Sequence, residues 1–162
     1  MGSNRTSVNV SVWRPDESVA SMQGLIEEGS VETAVRAAIA AFAPLNSGAV
    51  VEEVTYAEDF DNAVATAMAH AGDTDGRDLL VVVTDLVCDN PGRAEDLLLG
   101  GLAESDDFVV IVPVGDYDEN WAEVLNEGES KESDRVDVVR PDELGDPNVA
   151  LREVGPWAQK AA

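Results

Sequence analysis

The sequence predicts an α/β three-layer sandwich, a doubly wound and mostly parallel sheet with helices on both faces. Three observations carry this. Segments with a two-residue apolar period alternate along the chain with segments of helical period. Two segments, Leu79–Thr84 (LLVVVT) and Phe108–Val114 (FVVIVPV), are apolar at nearly every position, the pattern of strands covered on both faces. The connections are long enough for crossover helices of about a dozen residues, which makes the strands parallel and the crossovers right-handed.

The first strand is Ser7–Trp13, with Val8, Val10 and Val12 on one face, and Arg14-Pro15 is expected to end it. Val19, Met22 and Ile26 make one face of a short helix within 16–28. Gly29 breaks that pattern, and Ser30 is placed to cap the next helix. There Val31, Ala34, Val35, Ala38, Ile39 and Phe42 recur at three- and four-residue spacing, and Pro44 closes the helix.

Ala49–Tyr56 is the second strand, followed by a helix from an Asp59 cap to about Ala71, with Phe60, Val64, Ala67 and Met68 inward. Leu79–Thr84 is the third strand and the expected centre of the sheet, beside the first and fourth strands. Asn90-Pro91 pairs a cap with a proline in the first helical turn. Phe108–Val114 is the fourth strand, and its Pro113 lies near the end, where a missing donor is tolerated. Asp118 starts a short helix containing Trp121, Val136–Val139 is a fifth strand, and Asp146-Pro147 opens a last short helix over 149–154.

A chain of 162 residues fits one domain, assigned to 7–156, with a disordered stretch at 1–6 and a tail at 157–162. Asp and Glu number 33 against 10 Lys and Arg, a net charge of −23, and only Lys131 and Lys160 are lysines. A phosphate-tracking groove needs clustered basic residues, so direct nucleic-acid binding and docking on an anionic membrane are not expected. The acids are spread along the chain, which suits a hydrated surface in a salt-rich cytoplasm, as in a halophile. An acidic bacterial or phage protein, or a DNA mimic, has the same composition. The single cysteine, Cys88, excludes an intrachain disulfide and reads as an inert, half-buried thiol. With one histidine, His70, the usual zinc sites are excluded. The N-terminal MGSNRTS has no apolar signal core, and no apolar run approaches the ~18 residues of a membrane span. The expected location is cytoplasmic.

Ligands of doubly wound sheets bind beyond the carboxyl ends of the strands. Those ends carry Asp16, Ser18 and Ser21 after the first strand, and Glu58 and Asp59 after the second. Asp85 and Asp89 follow the third, and Asp116 and Tyr117 the fourth. Carboxylates and hydroxyls of this kind suit a hard cation such as Mg²⁺. Asp59 and Asp118 also read as helix caps, and Asp85 as the start of a loop.

The order of elements and the buried strand ending in Thr84-Asp85 resemble a von Willebrand factor A-type domain. The resemblance covers about residues 7–140 and rests mostly on architecture. It implies a three-loop metal-ion-dependent adhesion site. Thr84-Asp85 matches the third loop, with Leu86 where the family commonly has Gly. In Asp16-Glu17-Ser18-Val19-Ala20-Ser21 the serines stand one residue too far apart, and Glu58 replaces the Thr of the second loop. The implied site is degenerate, with Asp16, Ser18, Ser21, Glu58 and Asp85 as weak metal ligands. Asp59, Asp89, Asp116 and Tyr117 are the implied partner contacts. The implied function is a non-enzymatic, intracellular protein-interaction module. The alternatives are an acidic decoy or phage structural protein, and a metal-assisted hydrolase using Asp16, Asp85 and Asp116. No Gly-rich phosphate loop and no Gly-x-Ser-x-Gly elbow supports an enzyme.

Overall fold

A computed structural model describes residues 8–16, 18–19, 22–46, 50–57, 59–72, 77–87, 91–97, 107–115, 117, 119–120, 122–123, 136–146, 148–149 and 154. Five strands form one sheet: β1 (Val8–Pro15), β2 (Glu52–Tyr56), β3 (Arg77–Thr84), β4 (Phe108–Pro113) and β5 (Val136–Val138). Their order is β2-β1-β3-β4-β5 and every pair is parallel. This is the flavodoxin-like variant of the doubly wound sheet, which changes direction between β1 and β3.

The helices are α1 (Gln23–Glu27), α2 (Ser30–Phe42), α3 (Phe60–Gly72) and α4 (Pro91–Glu95). Short 3₁₀ helices at Ala43–Leu45 and Pro141–Gly145 complete the described elements. The chain steps from β1 outward to β2, then back past β1 to β3. With right-handed crossovers, the two opposite steps put α2 on one face and α3 on the other.

The core lies where both faces are covered. All of β3 and β4 is buried, and Leu80, Val82, Val110 and Val112 are 0% exposed. The expected centre, residues 79–84 between the first and fourth strands, is the observed one. In the apolar stripe of α2, Val31, Ala34, Val35, Ala38 and Phe42 are buried, while Ile39 is only partly so. In α3 Phe60, Val64, Ala67 and Ala71 are buried, while Met68 is only partly so.

Several boundaries differ from the sequence expectation. Arg14 and Pro15 continue β1, because Pro15 pairs with Tyr56 at an end where a missing ladder donor is tolerated. β2 begins at Glu52, and Val50 is 82% exposed. Ser30 does not cap α2; it is the first helical residue, and Gly29 occupies the cap in the left-handed conformation (φ 89°). The Ser30 hydroxyl instead donates to the Glu28 carboxylate at 2.7 Å. The 3₁₀ helix at Pro141–Gly145 had no counterpart in the reading of the sequence. The terminal stretches 1–6 and 157–162, with Cys88, Asn90, Asp118 and Trp121, lie outside the described residues.

Candidate functional site

The carboxyl ends of the strands are tied together by backbone hydrogen bonds. Asp16 N–H donates to the Tyr56 carbonyl (2.9 Å), joining the ends of β1 and β2. Val114 N–H donates to the Thr84 carbonyl (2.9 Å), joining β4 to β3, and Phe60 N–H at the start of α3 donates to the Val87 carbonyl (3.1 Å). The edge is therefore a built surface and not a set of independent loops.

Its centre is the turn after β3. Leu86 N–H donates to Thr84 Oγ1 at 3.0 Å, and Val87 N–H donates to Asp85 Oδ1 at 3.1 Å. These bonds hold Leu86 at φ 65°, a conformation that disfavours a residue with a Cβ. Burial of the Leu86 side chain at 4% exposure offsets that strain. The next residue is turned outward: Val87 is 52% exposed, while Asp85 is 8% exposed. Beneath the turn, burial pushes the Tyr56 phenol well above its ordinary range, and its hydroxyl donates to the Val83 carbonyl at 2.7 Å.

Beside this turn, the Asp16 carboxylate accepts hydrogen bonds from the Ser18 hydroxyl and from Ser18 N–H (2.8 Å). These bonds hold the Asp16 carboxyl below its usual range. Asp59 accepts from Asn62 Nδ2 at 2.8 Å, and its carbonyl accepts from Ala63 N–H at 2.9 Å, so it opens α3 as expected of a helix-start residue. Tyr117 belongs to a different group. Its hydroxyl accepts from Arg140 Nε at 3.1 Å, and Arg140 Nη2 donates to Glu119 at 2.6 Å. Burial, then the hydrogen bond with Glu119, raises the Tyr117 phenol, while hydrogen bonds from Arg140 and Tyr117 lower the Glu119 carboxyl.

The structure thus joins Asp16 to Ser18 and sets the Tyr56 phenol in the charge field of Asp85, but leaves Asp59 and Tyr117 in separate networks. Ser21, Glu58, Asp89 and Asp116 lie outside the described residues. Among the described residues, no three His, Cys, Asp or Glu side chains gather at metal-holding spacing. Asp16 Oδ1 is engaged by Ser18.

Arg140, Val87 and Tyr56 belong to the edge but escaped the reading of the sequence. The strand-end rule, applied to the fifth strand, would have found Arg140. Its pairing with Tyr117 and Glu119 is a tertiary fact. A groove of about 470 Å³ runs nearby, between the start of α2 (Glu28, Ser30, Thr33) and the end of β4 (Val114, Gly115, Tyr117). In the first turn of α3, next to the Phe60–Val87 bond, Asp61 (4% exposed) accepts from Arg93 Nη1 at 2.9 Å through Oδ2, while its Oδ1 is buried with no hydrogen-bond partner.

No protein-family model matches the chain, and no curated protein or solved structure shows significant similarity to it. No helix among the described residues is long and apolar enough to cross a membrane.

Proposed function

We propose that the chain is a non-enzymatic interaction module that captures a partner protein at the carboxyl edge of its sheet, with a divalent cation contributing weakly or not at all. The observation that carries this reading is the turn after β3. It presents Val87, an exposed apolar side chain, beside the Asp85 carboxylate on a backbone held in a strained shape. Strain of this kind persists where the surrounding structure over-determines it, and it concentrates at functional turns. The reading uses the same edge as the metal-bridged capture implied by the von Willebrand A resemblance. It does not depend on membership of that family, which no feature of the structure singles out. With a net charge of −23, the partner surface it suits is basic with an apolar centre.

Site-specific photocrosslinking tests this. A photoreactive residue at position 87 is expected to capture a discrete partner from cell extract, with Asp85→Ala reducing capture and a chelator leaving it intact. The control is position 50, whose Val50 is also exposed but precedes β2 at the opposite end of the strands. Equal capture from both positions would sink the proposal.

A further inference from the structure

We infer that Thr84 is the positioning residue of the capture turn: its buried hydroxyl holds Leu86 in the left-handed conformation and so sets how Val87 is presented. The inference rests on the interaction reading and deepens it, because it names a residue that a partner does not touch. Thr84 is 1% exposed. It closes the run Leu79–Val83, which is apolar and 0% exposed at every position. A valine has nearly the same shape and would suit that run, whereas a buried hydroxyl is costly unless it is hydrogen-bonded.

The bonds of Thr84 show what the hydroxyl does. Thr84 Oγ1 accepts from Leu86 N–H at 3.0 Å. The Tyr56 hydroxyl gives its proton to the Val83 carbonyl (2.7 Å), so its oxygen remains as an acceptor. Burial raises the Tyr56 phenol, and a hydrogen bond from the Thr84 side chain opposes part of that rise. The Thr84 carbonyl is held as well, by Val114 N–H at 2.9 Å. The hydroxyl thus stands at a point braced from both β2 and β4. From there it reaches the one residue of the turn whose backbone resists its shape, Leu86 at φ 65°. Asp85 acts on Val87 N–H from within the turn, and Thr84 acts from beneath it. The strain of one left-handed leucine and the net worth of one hydrogen bond are of similar size, so loss of the Thr84 bond should shift the turn's population by about tenfold.

Nuclear magnetic resonance on the full chain tests this without a partner. In the native chain the Cα and Cβ shifts of Leu86 are expected in the left-handed range. In Thr84→Val they should move toward extended backbone, and the Leu86 amide should exchange about tenfold faster, a change well beyond any at Val82. Thr84→Ser keeps the hydroxyl and should behave as the native chain. An unchanged Leu86 in Thr84→Val would overturn the inference. So would a Thr84→Ser response equal to that of Thr84→Val, which would assign the effect to the methyl group. Native Leu86 shifts outside the left-handed range would overturn it whether or not the variants fold. Crosslinking at position 87 supplies the functional arm: capture should fall in Thr84→Val and recover in Thr84→Ser, and undiminished capture from a turn that has shifted would refute the positioning role. Absence of capture even in the native chain, alongside the expected Leu86 response, would remove the interaction reading and leave Thr84 as the residue that shapes the turn.

Discussion

The Tyr56 hydroxyl at the end of β2 donates to the Val83 carbonyl near the end of β3, 2.7 Å away. β1 lies between these two strands, so the phenol reaches across its end. This side chain fixes the outer strand against the centre of the sheet directly beneath the Leu86 turn.

Removing that bond leaves the Val83 carbonyl without its side-chain donor in a buried place. Tyr56→Phe should cost about 1–3 kcal/mol, read as a shift in urea midpoint with an unchanged slope. The phenol also sets an alkaline limit. Its folded pKa is raised by burial above the ordinary value near 10. Its stabilisation is fully present below about pH 10 and is lost as pH rises from there toward the folded value, because only the unfolded chain ionises at first. Tyr56→Phe should lose stability less steeply than the native chain above that pH. Parallel losses would show that Tyr56 is not the titrating group.

The buried strands give the sharpest stability contrast. Leu80, at 0% exposure, should lose about 2–4 kcal/mol on truncation to Ala. Val50, at 82% exposure, should lose less than about 0.5 kcal/mol. Denaturant titration of the two variants checks this, and similar losses would contradict the packing.

The charge makes a prediction about salt. At physiological ionic strength the screening length is roughly 8 Å, and with 33 Asp and Glu against 10 Lys and Arg the carboxylates of this chain repel one another. Melting temperature should rise by at least several degrees between about 0.1 M and 2 M KCl. Equal values would show that the charges are spaced widely enough not to oppose folding.

The edge carboxylates should hold divalent cations poorly. Asp16 is engaged by Ser18, and no three described acids gather. Calorimetric titration with Mg²⁺, Mn²⁺ and Ca²⁺ is expected to give dissociation constants no tighter than about 1 mM. Tight binding abolished by Asp85→Ala would place a real cation site at the end of β3.

The sequence by itself determined the class of fold. Leu79–Thr84 and Phe108–Val114 are apolar on both strand faces, which only a sheet covered by helices on each side can bury. The stripe from Val31 to Phe42 likewise determined which side of α2 turns inward. Asp16 and Asp85 were legible at strand ends because strand periodicity stops just before them. The places of the outer strands and the partners of polar side chains were decided by the tertiary structure. An apolar run marks a central strand but does not say which strands flank the sheet, so the reach of Tyr56 past β1 to Val83 was invisible. The same holds for Arg140, which meets Tyr117 and Glu119 more than twenty residues away in sequence. The left-handed Leu86 is the clearest case. Its residue type argues against that backbone, and only the burial of its side chain and the bonds to Thr84 and Asp85 make the turn stable.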